Sequence, residues 1–151
     1  MAAENKDPAV SICFKVEIDR KDLGDKEGLG LFNTCEGLGL EVVIEQREEG
    51  GNNGFVWQLP TRIKYSNIKL SRPVGKYSAQ LTAWLCSFAT GGERHTAVIT
   101  AMTTDGDAVA TWKLDRVIPV RWSGPSLNPD TPKVAMETIE LAHHGFLPGT
   151  N

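Results

Sequence analysis

Hydrophobic and polar positions alternate cleanly at the first recognisable element. Ile12, Phe14, Val16 and Ile18 fall on one face of Ser11–Ile18, with Lys15 and Glu17 on the other. Period two over eight residues predicts a half-buried strand. The polar residues 1–10 before it, ending beyond Pro8, are expected to form a flexible arm, and the charged stretch Asp19–Gly28 a loop. A short echo follows: Glu27-Gly28-Leu29-Gly30-Leu31 recurs as Glu36-Gly37-Leu38-Gly39-Leu40. It is too short for a solenoid repeat and reads as two strand entries with glycines at the bends. A phosphate cradle is excluded, since no G-x-G-x-x-G or Walker lysine follows. Glu41–Glu49 begins as a strand through Val42, Val43 and Ile44 and ends in charge.

The run Gly50-Gly51-Asn52-Asn53-Gly54 is a loop signal. Phe55, Val56, Trp57 and Leu59 lie between it and Pro60. The whole stretch from Glu48 to Thr61 is expected to be a long, extended loop whose apolar tip needs a partner surface. Arg62–Leu70 then returns as a strand.

A single helix is expected. Leu81, Trp84, Leu85 and Phe88 are spaced i, i+3, i+4, i+7 and form one apolar stripe. Ser78 is the candidate N-cap and Gly91-Gly92 the stop. The stripe is expected to pack as core on the outer side of the sheet. Three strands follow, His95–Thr103, Ala108–Trp122 and Lys133–Phe146, with an Asp105-Gly106 hairpin turn and a proline-rich loop at Gly124–Pro132 between them. Arg116 interrupts the apolar face of the second, and Pro119 marks an edge or a bulge. About seven strands and one helix predict a mainly β fold, most simply two antiparallel sheets in a sandwich or barrel with the helix packed outside.

Composition narrows the function. The chain has 151 residues, one domain in extent, with 40% hydrophobic and 23% charged residues, a globular balance. A net charge of -3 gives no basic excess for phosphate contacts, which disfavours a sequence-reading nucleic-acid module. Neither a signal-peptide core nor an apolar run long enough to span a bilayer is present. Cys13, Cys35 and Cys86 are odd in number and form no C-x-x-C pair; they are expected to be reduced core thiols in a cytosolic protein.

Candidate chemistry is sparse. There is no G-x-S-x-G elbow and no H-E-x-x-H. His143 and His144 are adjacent, so on a strand they would point to opposite faces and could not chelate together. Glu48-Glu49 lies in a charged run with nothing to raise a carboxyl pKa. Neither a catalytic residue, a cofactor nor a metal site is expected.

Several segments in order carry a resemblance. They are Phe14–Ile18, Leu31–Leu38, Glu49–Asn53, Lys64–Leu70, Trp84, Asp105-Gly106, Trp112–Leu114, Pro119, Gly124-Pro125 and Glu137–Gly145. Together they resemble the tail tube family of contractile phages and phage-tail-like contractile injection systems, over nearly the whole chain. The resemblance implies a mechanism without catalysis: sheets of six subunits join into one β-barrel around a lumen, rings stack into a rigid tube, and a contractile sheath drives that tube through a target envelope. It implies as partners further copies of the chain, the sheath protein, baseplate or spike and tube-terminating proteins, and lumen cargo, with no stable membrane insertion. It implies assembly in the cytoplasm into a particle that is released or fires across a membrane. Relatives use the loop corresponding to Glu48–Thr61 to dock on a neighbour, so Phe55, Val56, Trp57 and Leu59 become the candidate inter-subunit contact. The tube wall is expected from Leu31–Glu36, Leu40–Glu48, His95–Thr103 and Ala108–Val120, with small or polar residues toward the lumen. A tube initiator of the same family and, from another class, a ligand-binding β-barrel are the alternatives.

Overall fold

Ten strands and one α-helix make up the computed structural model, which describes residues 13–19, 28–51, 53–130 and 133–148. The expected N-terminal arm and most of the Asp19–Gly28 loop lie outside the described residues. The strands are β1 (Cys13–Ile18), β2 (Gly30–Phe32), β3 (Thr34–Glu36), β4 (Leu40–Arg47), β5 (Trp57–Tyr65), β6 (Ile68–Pro73), β7 (His95–Met102), β8 (Ala108–Ser123), β9 (Met136–Ala142) and β10 (Phe146–Leu147). The helix α1 (Ser78–Ser87) continues into a 3-10 turn, Phe88–Thr90.

All pairings are antiparallel. One sheet runs β2-β1-β7-β8-β9-β6-β3, with β10 on β8; a second contains only β4 and β5. The two end strands of the large sheet, β2 and β3, are separated in the chain by Asn33 alone. The sheet must therefore curl until its ends meet, and the Asn33 amide donates to Ser71 O at 2.9 Å. The long strand β8 makes the curl possible. Its first part pairs with β7 and its last part with β9. Arg116, where the apolar alternation breaks, takes a positive φ of 50°, and the register shifts between Pro119 and Arg121. The bulge bends the strand and gives Pro119 a place where a missing amide does little harm.

The curled sheet encloses one core. Alternation sends Val16, Ile68, Leu70, Ala97, Ile99, Ile139 and Leu141 inward. The helix stripe joins this same core: Leu81 and Trp84 are buried, with Leu85 and Phe88 packed against them. Ser78 is not the N-cap. Tyr77 holds that position without a side-chain cap bond, and Ser78 is the first helical residue; its hydroxyl accepts from Gly75 N and donates to Glu137 Oε1. Glu137 and Arg72 form a buried ion pair at 2.7 Å. Arg72 also donates to Leu29 O and lies 4.5 Å over the Phe32 ring. Trp122 Nε1 donates to Glu137 Oε2 at 3.3 Å. This network ties α1, β6, β8 and β9 together inside the core.

Two strand expectations change. Arg62–Leu70 is not one strand: β5 ends at Tyr65 and β6 begins at Ile68. Lys133–Phe146 is likewise split into β9 and β10, and His143 and His144 sit in the turn between them. The thiols are all free, but Cys86 is exposed on the helix and not part of the core.

Candidate assembly interface

The stretch expected as one long loop, Glu48–Thr61, is loop only as far as residue 56 and strand from Trp57 on. β4 and β5 form a hairpin whose tip loop spans only 48–56, and Trp57–Thr61 lies within β5. Pro60 has no ladder donor and is a poor residue for a strand interior. The ribbon accommodates it at a bulge: Val43 faces Arg62, Ile44 faces Pro60, and the unpaired Thr61 turns its hydroxyl to Val43 O at 2.9 Å. Gly51, with φ of +89°, supplies the left-handed turn residue at the tip.

Register sorts the ribbon into two unlike faces. Leu40, Val42, Ile44 and Ile63 share one face, with Tyr65 at its base. Glu41, Val43, Glu45, Arg47, Arg62 and Lys64 share the other, with Glu41 directly opposite Lys64, and with Leu59 and Trp57 opposite Glu45 and Arg47 toward the tip. A two-stranded ribbon has no second layer of its own. Its aliphatic face consequently stands in water: Leu40 is 55% and Ile63 51% exposed. Alternation had revealed Val42, Val43 and Ile44 as strand residues, but not that this face is left uncovered.

The candidate contact residues cluster at the far end. Phe55 and Trp57 touch edge to face, with ring centroids 5.1 Å apart, and remain 56% and 48% exposed. Val56 and Leu59 are exposed beside them in sequence, and Trp57 Nε1 donates to Glu49 Oε2 at 3.0 Å. The tip does not fold back on the body.

The base of the ribbon is anchored by His143, which the sequence shows only as one of two adjacent histidines that could not chelate together. His143 is buried and stacks near Tyr65 (5.4 Å) and Phe146 (5.1 Å). The Gly145 amide donates to His143 Nδ1 at 3.2 Å, which leaves Nε2 to donate to Ser66 O at 3.2 Å. Gly145 has φ of +138°, and a Cβ there would press on the Tyr65 ring. His143 thus fixes the β5–β6 corner to the β9–β10 turn. At the other corner Gly37, φ +89°, passes so close to Asn67 that a Cβ would collide with its carbonyl oxygen. His144 is exposed, its Nε2 2.6 Å from Arg94 Nη1.

Chemistry is scarce elsewhere. Among the described residues no group of three or more His, Cys, Asp or Glu could hold a metal ion, and no helix is long and apolar enough to cross a membrane. Burial, and then the charge of Glu36, pushes the Cys35 thiol up to about 11, so it is protonated and unreactive near neutrality. An open cleft of about 250 Å³ is lined by the polar and charged residues Lys69, Arg121, Ser123, Thr138 and Glu140.

Comparison with known proteins gives a consistent picture. The family described as T4-like virus tail tube protein gp19 matches residues 10–147. A chain of the anti-feeding prophage baseplate superposes with a TM-score of 0.80 at 24% identity, covering 93% of this chain and 95% of that one. A chain of the sheath-tube complex of the extracellular contractile injection system PVC, in the extended state, gives 0.75 at 20% identity, covering 95% and 92%. A chain of the anti-feeding prophage tube-terminating cap gives 0.67 at 21%, covering 93% of each. At these identities the likeness is one of fold. No curated protein matches the chain.

Proposed function

The chain belongs to the family of the T4-like virus tail tube protein gp19, and on that premise we propose that it is the inner tube protein of a contractile injection system. Six copies form a ring, the ribbons join neighbouring sheets into one continuous wall, and the rings stack into a rigid hollow tube within a contractile sheath. The sheath drives the tube through a target envelope to deliver cargo. The work is mechanical, so no catalytic residue or cofactor is needed. Partners are further copies of the chain, the sheath protein, and the baseplate or spike and terminating proteins at the two ends. Assembly takes place in the cytoplasm.

The observation that supports this reading most is the uncovered ribbon. A monomer that leaves Leu40, Val42, Ile44, Ile63 and two tip aromatics in water has a standing gain from association. Burial of one such side chain is worth roughly 1.5–3 kcal/mol. Joining sheets also removes open strand edges that otherwise invite disordered aggregation. In this reading Phe55, Val56, Trp57 and Leu59 dock on a neighbouring subunit, within the ring or in the adjacent ring.

Negative-stain microscopy of the purified chain tests the proposal. Stacked six-fold rings are expected, and a protein that stays monomeric at all concentrations by light scattering would refute it. The likeness to a baseplate chain supports a second reading, a tube initiator that starts growth from the spike. Copy number separates the two: many rings per particle for the main tube, one or two for the initiator.

A further inference from the structure

The β9–β10 turn carries two adjacent histidines, and each ring presents a bare nitrogen to a donor. His143 Nδ1 accepts from the Gly145 amide at 3.2 Å while Nε2 donates to Ser66 O at 3.2 Å. His144 Nε2 lies 2.6 Å from Arg94 Nη1, a guanidinium nitrogen that only donates. Both rings are neutral as placed. Burial separates them. His143 is 7% exposed and Gly145 is buried with it, whereas His144 is exposed. A charged His144 can turn into water; a charged His143 cannot leave without opening the corner it pins.

No opposite charge compensates a proton on His143. The Tyr65 ring faces it from β5 and the Phe146 ring from β10, and its two nitrogens meet the backbone of Ser66 and Gly145. Among the described residues no carboxylate pairs with it. The charged residues that reach the turn address other atoms. Arg94, just before β7, meets His144. Asp115 on β8 bonds the backbone of His144 and Gly145, and its carboxylate lies 3.9 Å from Arg116 Nε. A proton on Nδ1 turns an acceptor into a donor and leaves the buried Gly145 amide without a partner, which is costly. Gly145 O lies 3.3 Å from Nδ1, but it already accepts from Asp115 N at 2.9 Å, and a second donor there does not restore the lost amide bond.

We propose that His143 is an acid-sensitive latch on the ribbon: taking up a proton at Nδ1 frees the β5–β6 corner from the β9–β10 turn. Histidine is the side chain whose charge ordinarily changes between about pH 5 and 8. The latched corner binds one proton fewer than the released one, so the latch holds on the alkaline side and weakens as pH falls. The latch belongs to the single chain; its consequence for assembly rests on the tube-protein reading. β5 ends at this corner, so a released corner lets the ribbon swing, and assembly is opposed in acid.

Hydrogen exchange at about pH 7.5 and 5.5, corrected for the intrinsic rate and run below the particle-forming concentration, tests the latch. Wild-type amides at 65–68 and 143–146 are expected to lose at least about tenfold protection in acid, while those of β7 hold. His143→Asn keeps an acceptor in place of Nδ1, His143→Gln a donor in place of Nε2, and neither titrates. Both should show corner protection equal within about twofold at the two pH values, and His144→Gln should respond as wild type does. By light scattering, acid should raise the particle-forming concentration of wild type about tenfold and leave that of His143→Asn unchanged. A wild-type corner equally protected at both pH values, an acid response that survives in both His143 variants, or one that disappears in His144→Gln would overturn the latch. If neither His143 variant folds, wild type against His144→Gln decides. A corner that loosens while particles form at one concentration would overturn its link to assembly. A chain that forms no particles at either pH would refute the tube reading and leave the exchange test intact.

Discussion

The curled body and the β4–β5 ribbon are written in the same alternating pattern and end in opposite states. In β6, Ile68 and Leu70 alternate with Lys69 and Ser71, and both aliphatics are fully buried. In β4, Leu40, Val42 and Ile44 alternate with Glu41, Val43 and Glu45, and the first three stand exposed. The patterns do not differ; the covering layer does. The large sheet curls around a core that α1 joins through Leu81 and Trp84, whereas the ribbon's aliphatic face has nothing above it. Alternation states that a face needs cover, not which molecule provides it. A monomer can thus have a stable core and an unfinished surface at once.

Substitutions in the body should have the largest effects. Trp84→Ala empties the centre of the core and should cost roughly 3–5 kcal/mol, read as a large drop in melting temperature. An unchanged melt would show that α1 is not part of the body. Glu137→Ala strands the Arg72 guanidinium without its partner and should cost a similar, roughly 3–5 kcal/mol. Replacing both, with Arg72→Met and Glu137→Leu, should recover most of that loss, since removing a buried pair whole is far cheaper than halving it. A pair of substitutions on the ribbon should do almost nothing to the monomer. Val42→Thr with Ile63→Thr alters side chains already in water, and the melt should stay within about 0.5 kcal/mol of wild type. A loss as large as that of a core substitution would mean the ribbon is covered within the monomer.

The smallest effect concerns the thiols. At pH 8 in the folded protein, exposed Cys86 should alkylate fast and Cys35 slowly, as followed by mass spectrometry. The Cys35 pKa is raised from 9.0 to about 11, so its neutral form is favoured by folding. That contribution is whole below pH 9 and is lost as pH rises through 11. Equal labelling rates for Cys35 and Cys86 would contradict its burial.

Much of the body was legible because its signals are local. The stripe of Leu81, Trp84, Leu85 and Phe88, the alternation of Phe14, Val16 and Ile18, and the Asp105-Gly106 turn, where Gly106 takes φ of +90°, need only a few neighbouring residues. What escaped depends on register or on distant partners. The first half of β5, Trp57–Thr61, escaped because the bulge that accommodates Pro60 exists only once β4 is placed beside it. Arg72 and Glu137 are 65 residues apart, and nothing near either one announces the other. His143 shows in the sequence only as one of two adjacent histidines, yet it holds the ribbon corner through Ser66, 77 residues away. The row of Arg121, Glu140 and Lys69 is likewise invisible until three strands are aligned. The tip aromatics were legible for the opposite reason: glycines and asparagines mark an excursion, and Phe55 and Trp57 within it are conspicuous without any partner.

Hydrogen exchange measured on the monomeric and the assembled protein tests the central claim most directly. Phe55→Ala with Trp57→Ala, expected to fold but not to grow tubes, supplies the monomer; wild-type particles supply the assembly. Amides of β6, β7 and β9 should be protected in both, and those of β4 and β5 should exchange quickly in the monomer and become protected in the particle. Ribbon amides that exchange at the same rate in both states would contradict the account, as would tubes of normal length from the double variant.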